Sequence, residues 1–301
     1  MKEKSEQNSR ELVSDVIAKG VSAAIPKGEL VIEAEAVKKL LQTDHVGFDE
    51  LSAFTRRLHL DIFTLSPQYK AAAKNLPANN EYLWPHLKKW VLETELFVFA
   101  ILDGAFEWGM RLLGLEEFFS MLRSPAALND LIKEVEKRNF YQIDKLVDEG
   151  INGIILADDI AHQQGLFANP KILKENFIPS LARQAEKVRA KDLPVFYHSD
   201  GNYLPVLEEI VQAGFSGLQC LEKSAGMELE KLRDSFGDTL CYWGYIETED
   251  LAVAADEEQL QALAAVHRNL AAGQKYILGT TSGLFAGMEL QTLQKLYQML
   301  S

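Results

Sequence analysis

Short apolar runs alternate with amphipathic segments along most of the chain. Eight runs have the length of a buried strand, and several segments between them repeat apolar residues with the period of a helix. The predicted strands are residues 29–33, 60–65, 96–102, 153–157, 194–198, 217–220, 241–244 and 275–279. The predicted helices are residues 171–189, 204–213, 227–236 and 257–272. Buried strands joined by helices indicate a parallel sheet, and eight such units in 301 residues predict a single (β/α)8 barrel, an α/β fold.

An open, doubly wound parallel sheet is the alternative architecture. That fold normally carries a glycine-rich phosphate-binding turn directly after its first strand. The predicted first strand continues instead as Glu33-Ala34-Glu35, which contains no glycine. We therefore expect one barrel domain over residues 26–301, preceded at residues 1–25 by a polar extension or first helix.

Composition restricts the class of partner and the compartment. The formal net charge is −13, the sequence pI is about 5.0, and no block of five or six basic residues occurs. Nucleic acid and anionic membranes are therefore poor partners. The longest unbroken apolar run, residues 96–102, is too short to span a bilayer, and residues 1–10 lack the apolar stretch of a signal peptide. The two cysteines, Cys220 and Cys241, suit a reducing compartment, so we expect a cytoplasmic protein.

Residues 194–202 carry the most specific chemical signal. An apolar strand stops here at His198, and Asp200 and Asn202 follow directly. Functional groups of a barrel gather at the carboxyl ends of its strands, and residues two apart on a strand point to the same side. An imidazole and a carboxylate on one wall can share a proton, a metal ion or a substrate. The alternatives are a core histidine at His198 and a helix cap at Asp200 or Asn202, before a helix that begins near Leu204.

Polar residues follow the other predicted strands as well. They are Asp103 after the third strand, Asp158, Asp159, His162 and Gln163 after the fourth, Gln219 and Glu222 after the sixth, Tyr245 and Glu247 after the seventh, and Ser282 after the eighth. Asp158 and Asp159 are adjacent and face opposite ways while the strand continues. We expect Asp158 to reach the site, although hydrophobicity does not distinguish the two faces of a strand that is buried on both.

At these positions the chain resembles the uroporphyrinogen decarboxylase superfamily. The matching stretches are residues 153–167 with Asn169 and Pro170, residues 197–202, residues 217–219 with Glu222, then Gly226, Met227 and Leu229, residues 243–247 and residues 275–279. They lie in order and at family spacing over roughly residues 96–300. The resemblance implies a single (β/α)8 barrel, in agreement with the count of predicted strands.

The superfamily includes the decarboxylase itself and methyltransferases that move methyl groups between corrinoid proteins and thiol or folate acceptors. The decarboxylase holds its carboxylate-rich substrate with arginines of an amino-terminal segment that has no counterpart in this sequence. The zinc methyltransferases carry a His-x-Cys pattern and a second cysteine after the eighth strand. Here the histidine matches at His198, but Asp200 stands at the first cysteine position and the second falls near Ser282.

The resemblance favours corrinoid-linked methyl transfer to a small acceptor. Under this hypothesis the catalytic residues are His198, Asp200, Asp158 and Glu222, and the substrate-binding residues are Asp159, His162, Gln163, Asn202, Gln219, Tyr245, Glu247, Ser282 and Asp103. His198 and Asp200 are also the candidate ligands of a metal ion such as zinc, and a corrinoid protein is the expected partner. One alternative is decarboxylation of uroporphyrinogen or a related porphyrinogen in tetrapyrrole biosynthesis. The other is a non-catalytic binding subunit of a corrinoid methyltransferase complex.

Overall fold

A parallel sheet forms the centre of the molecule, which we describe from a computed structural model over residues 8–20, 24–69, 75–254 and 256–301. The strands within these ranges are β1 (Ile62–Leu65), β2 (Phe97–Asp103), β3 (Gly153–Ala157), β4 (Ala161–His162), β5 (Gly165–Leu166), β6 (Val195–His198), β7 (Gly217–Gln219), β8 (Cys241–Ile246) and β9 (Tyr276–Thr280). Seven strands hydrogen-bond in the order β1-β2-β3-β6-β7-β8-β9, and every neighbouring pair is parallel. The two-residue strands β4 and β5 form a separate antiparallel pair.

Seven of the eight predicted strands are confirmed, each within two residues at either end. The first predicted strand, residues 29–33, is not a strand. Instead, Lys27 forms a single parallel bridge to Leu278 on β9, and Gly28 forms one to Ile62 on β1. The sheet edges β1 and β9 therefore lie on either side of this segment. Gly28 permits the approach because a Cβ there would lie 2.7 Å from the Ile62 Cβ.

Helices follow most of the strands. They are α1 (Ser9–Lys19), α2 (Ala34–Leu41), α3 (Phe48–Arg57), α4 (Leu87–Glu93), α5 (Ala105–Met121), α6 (Pro125–Asp148), α7 (Pro170–Ile172), α8 (Ile178–Arg189), α9 (Leu207–Gln212), α10 (Leu229–Phe236), α11 (Thr248–Val253), α12 (Glu257–Ala271) and α13 (Leu290–Met299). The predicted helix 171–189 is present but is interrupted by a π-helical turn, Leu173–Phe177. Within the described ranges, no helix combines the length and the apolar character needed to cross a bilayer.

The core has two parts, one on each face of the sheet. Alternate residues of β2 divide between them: Phe97 and Phe99 pack in the smaller cluster, and Val98 and Ala100 pack in the larger one beneath the helices. Helix α1 contributes Val13 and Val16 to the smaller cluster. Because both faces of each strand are buried, the site is formed by residues that lie just beyond the strand ends.

Candidate functional site

A pocket of about 520 Å³ opens at the carboxyl ends of β3, β6 and β7. Its lining residues are Glu107, Met110, Asp159, Ala161, His162, Gln163, Phe167, Asp200, Gly201, Glu222 and Ser224. Four of them are carboxylates and none is a lysine or arginine. The pocket is therefore suited to a cation or to a ligand that donates hydrogen bonds, and it is poorly suited to an anion.

Sheet register brings a histidine and two aspartates together at this pocket. The parallel pairing sets Ala157 opposite His198, the last residue of β6, and Asp159 lies two residues beyond the end of β3. The His198 Nε2 atom lies 3.5 Å from Asp159 Oδ1, and the backbone N–H of Asp200 donates to that same oxygen at 3.0 Å. One ligand atom from each of these three side chains lies within 4.8 Å of the other two. The sequence prediction of a shared His198 and Asp200 site is thus compatible with the geometry, with Asp159 as the third member.

Residues after β7 extend this cluster. Glu222 Oε2 accepts a hydrogen bond from the Gly201 backbone N–H at 2.6 Å, which draws the loop after β6 toward the loop after β7. The Cys220 thiol lies within 4.8 Å of ligand atoms of Asp200 and Glu222, and its Sγ donates to the Thr281 carbonyl oxygen at 3.2 Å. Burial raises the pKa of the Cys220 thiol well above its usual range, so it stays protonated at neutral pH.

Burial raises the pKa values of three carboxyl groups in the pocket lining, and neighbouring carboxylates add to the shift. The pKa of Asp200 is raised, first by desolvation and then by the charge of Asp159, and His198 opposes the shift. Desolvation also raises the pKa of Glu222, and the charge of Asp200 adds to this. At the opposite wall, the pKa of Glu107 is raised by desolvation and by nearby aspartates, while Arg111 lowers it. A cation placed among these groups would relieve their mutual repulsion.

Asp158 faces away from the pocket, which corrects the expectation that it reaches the site in place of Asp159. Its carboxyl group is fully buried, and Oδ1 accepts a hydrogen bond of 2.8 Å from the Glu107 backbone N–H in the first turn of α5. The absence of a side chain at Gly104 makes room, because a Cβ there would lie 2.2 Å from Asp158 Cγ. Ala157 packs in the smaller cluster, so the next residue turns toward the helices and the following one returns to the pocket.

Two further predicted site residues are held by local structure outside the pocket lining. Asn202 Oδ1 accepts from the Leu204 backbone N–H at 3.2 Å, which is the capping interaction considered as its alternative. Asp103 Oδ2 accepts from Arg111 at 2.6 Å and from the Tyr69 hydroxyl at 2.8 Å. Both side chains are therefore used by neighbouring segments.

The predicted residues after the last two strands also lie outside the pocket lining. The Tyr245 hydroxyl accepts from the Leu229 backbone N–H at 3.4 Å. Glu247 Oε1 accepts from the Ser224 backbone N–H at 2.7 Å, and the Ser282 hydroxyl donates to the adjacent Gly283 carbonyl at 3.1 Å. These contacts support loops at the edge of the site.

The remaining predicted residues belong to the pocket or to its floor. His162 and Gln163 line it, and the His162 ring lies 5.0 Å from the Phe167 ring. Gln219 is fully buried beneath it and contacts His198. Sequence reasoning missed Glu107 and Phe167. Glu107 could have been found, because it lies in the first helical turn after an Asp-Gly strand end, whereas an isolated phenylalanine carries no comparable signal.

The donor atoms of the cluster are compatible with a divalent metal ion. Asp159, His198 and Asp200 offer carboxylate oxygens and one imidazole nitrogen, and Glu222 adds a carboxylate near Asp200. Imidazole and carboxylate ligands suit zinc, iron and manganese. The protonated Cys220 thiol is not required for such a set. Zinc bound by thiolates alone does not fit the residues present.

A family model and a solved structure with a TM-score above 0.5 bear on the family and the fold of this chain. The profile of the family described as uroporphyrinogen decarboxylase (URO-D) matches residues 86–300. A methyltransferase from Methanosarcina mazei superposes with a TM-score of 0.75 at 14% identity, over 98% of each chain, and therefore shares the fold. The spore cortex-lytic enzyme SleL of Bacillus megaterium QM B1551 gives a TM-score of 0.46 at 10% identity, over 93% of this chain and 75% of that one. A DUF72 family protein from Thermotoga maritima gives 0.44 at 12% identity, over 91% and 97%. A search of curated protein sequences gave no match.

Proposed function

The chain belongs to the uroporphyrinogen decarboxylase family, and we propose that it is a methyltransferase that moves a methyl group from a corrinoid-bearing partner protein to a small acceptor. The cluster of Asp159, His198 and Asp200 carries this proposal, because the two aspartates line the open pocket and the buried His198 lies directly behind them. The shared fold with a methyltransferase from Methanosarcina mazei supports it. The partner would dock over the carboxyl ends of the strands, where the pocket opens.

His198 is the proposed base. Its Nε2 faces Asp159, so a proton taken from the heteroatom of the acceptor would form an imidazolium next to a carboxylate. Asp200 and Glu222 would accept hydrogen bonds from the acceptor and hold it against the open side of the pocket. The acceptor heteroatom would form its bond to the methyl carbon as the bond between that carbon and the corrinoid breaks, and the electron pair of the broken bond would stay on the corrinoid. The proton of the acceptor would pass to His198, so the acceptor would keep its charge.

A divalent metal would replace the base, because His198 Nε2 would then be a metal ligand and could not accept the proton. Asp159, His198 and Asp200 would hold it, with Glu222 within reach of Asp200. When bound, such an ion lowers the pKa of an acceptor thiol or hydroxyl, as a Lewis acid does. The raised pKa values of Asp200 and Glu222 would then fall, because a neighbouring cation favours the ionised carboxylates.

Porphyrinogen decarboxylation is less compatible with the pocket. Uroporphyrinogen carries a carboxylate on every side chain, and unpaired charges are unfavourable in a closed site. The pocket lining offers Glu107, Asp159, Asp200 and Glu222 but no lysine or arginine. Like charges would therefore meet, and decarboxylation becomes the second outcome of the test below.

Methyl loss from methylcobalamin, followed by its visible spectrum in the presence of candidate thiol and folate acceptors, tests the proposal. We expect His198→Ala to lower the rate by roughly 10²- to 10⁴-fold, the usual contribution of a general base. Asp200→Asn should also lower it, because the amide retains the shape but not the charge. Asp144→Asn is a matched control, since Asp144 pairs with Lys187 and Lys191 away from the pocket.

Three results would contradict the proposal. Methyl transfer that is unchanged in both His198→Ala and Asp200→Asn would remove these residues from catalysis. Release of carbon dioxide from uroporphyrinogen, without methyl transfer, would assign the chain to the decarboxylase activity. Binding of a corrinoid protein that both variants leave intact, with no turnover in any form, would indicate a binding subunit.

A further inference from the structure

His198 and Gln219 form a buried pair beneath the pocket. They end the neighbouring strands β6 and β7, and the parallel register sets them directly opposite each other. His198 is 6% exposed and Gln219 is fully buried. The His198 Nδ1 and Gln219 Oε1 atoms are 2.5 Å apart, whereas His198 Nε2 is 3.5 Å from its nearest carboxylate, Asp159.

This geometry determines which ring nitrogen holds the proton of the neutral imidazole. The Gln219 amide is oriented with its oxygen toward the ring, and because an amide oxygen can only accept a hydrogen bond, Nδ1 carries the hydrogen in this orientation. The lone pair then lies on Nε2, on the side of Asp159 and Asp200. The two acceptors compete for one proton, because Asp159 alone would draw it to Nε2. At 2.5 Å the contact to Gln219 is a close hydrogen bond, whereas 3.5 Å to Asp159 is at the limit of one, so the geometry favours the proton on Nδ1.

We propose that Gln219 is a positioning residue that keeps the proton of neutral His198 on Nδ1 and so presents Nε2 to the pocket. This revises the sequence-based expectation that Gln219 binds substrate, because its side chain lies under the histidine and not in the lining. The proton position is independent of the reaction. Only its consequence, an Nε2 atom free to act as base or ligand, rests on the proposed function.

The proton position is measured by long-range ¹H–¹⁵N NMR of the histidine rings at alkaline pH, with His198 assigned from the spectrum of His198→Ala. We expect Nδ1 to be protonated in the native protein. Gln219→Leu removes the acceptor and should move the proton to Nε2, toward Asp159. Gln219→Glu keeps an acceptor at the same place and should retain the native pattern. Gln184→Leu is a matched control, because Gln184 is a buried glutamine that bonds Asn139 and Ser180 instead.

Binding of Zn²⁺ alone, measured by calorimetry, gives a second readout. Loss of a partner that orients a metal-binding histidine commonly weakens metal binding by about 10- to 100-fold, and we expect this for Gln219→Leu but not for Gln219→Glu. A native protein with its proton on Nε2, or a Gln219→Leu variant with the native pattern, would overturn the proposal. If zinc does not bind and the proton pattern holds, the metal part of the proposed function fails and the positioning role stands.

Discussion

Glu29 provides a pH-dependent test of how residues 27–33 are held between the edge strands β1 and β9. The side chain is 1% exposed, and its Oε2 accepts from the Thr280 backbone N–H at 3.2 Å and from the Thr280 hydroxyl at 2.5 Å. Its other oxygen accepts from the Tyr297 hydroxyl. The carboxyl group thereby joins residues 27–33 to both β9 and α13. Replacement by Gln in Glu29→Gln preserves the shape and removes the ionisation.

The expected change in the free energy of unfolding follows from the pKa of this carboxyl group. Burial raises it from 4.5 to about 7, and the bonds from Thr280 and Tyr297 oppose the shift without cancelling it. The pKa of Glu29 is higher in the folded state than in the unfolded state. Its contribution to the free energy of unfolding is therefore fully present below about pH 4.5 and is lost as the pH rises through about 7. At about 1.4 kcal/mol per pKa unit the whole effect is about 3.4 kcal/mol, of which about 2.5 kcal/mol falls between roughly pH 5 and pH 8.

Urea unfolding at these two pH values, followed by circular dichroism, measures the effect. The unfolding free energy of Glu29→Gln minus that of the native protein should rise by about 2.5 kcal/mol from the lower to the higher pH. Taking this difference removes the contributions of other buried carboxyl groups, which both proteins share. Glu33→Gln, at an exposed position of the same segment, is the matched control. A difference that stays flat, or that falls with pH, would refute the assignment of Glu29 as a carboxyl group that is neutral when folded.

Two further changes test packing at either end of the sheet. Gly104→Ala would set a Cβ 2.2 Å from Asp158 Cγ. Such overpacking should lower the free energy of unfolding, measured by urea titration, by about 1–3 kcal/mol. An unchanged urea midpoint would mean that Asp158 can move aside. Arg10→Met removes a guanidinium that donates to three backbone carbonyl oxygens within residues 91–96, and we expect a loss of about 2 kcal/mol, seen as faster hydrogen exchange of the α1 amides. Native exchange rates in α1 would show that the helix is held by its apolar face alone.

Most of the sheet could be predicted because its strands are continuous apolar runs between helical patterns. The exception is residues 29–33, which look like a strand from Leu30, Val31 and Ile32. The segment instead makes its bridges to both sheet edges earlier, at Lys27 and Gly28, where neither residue type suggests a strand. A pattern of apolar residues indicates which residues are buried. It does not indicate which backbone N–H and C=O groups form hydrogen bonds between strands.

The positions of the candidate site residues could be predicted where polar side chains are concentrated in one short segment, and not where the orientation of a side chain depends on a distant residue. The pair His198 and Asp200 could be found from spacing alone. The choice between Asp158 and Asp159 could not, since β3 is buried on both faces and each aspartate follows it. What distinguishes them is Gly104 on a neighbouring segment, whose missing side chain leaves the space that Asp158 fills. Such a dependence between distant positions is invisible to a pattern read along one strand.

The carboxylate at Asp200 changes what the pocket has to accommodate. Where the zinc methyltransferases that this chain resembles carry a cysteine, a thiolate would supply one negative charge and a soft donor. Asp200 supplies the charge through hard oxygen atoms, and Asp159 and Glu222 add two more carboxylates nearby. Burial raises the pKa values of Asp200 and Glu222, and the neighbouring carboxylates add to the shift, so the cluster holds protons more tightly than isolated carboxyl groups do. A ligand that brings positive charge would displace those protons and would itself offset the repulsion between the carboxylates. Under the proposed function, we therefore expect the pocket to discriminate between ligands first by charge, and His198 Nε2 to select among the cations or proton donors that remain.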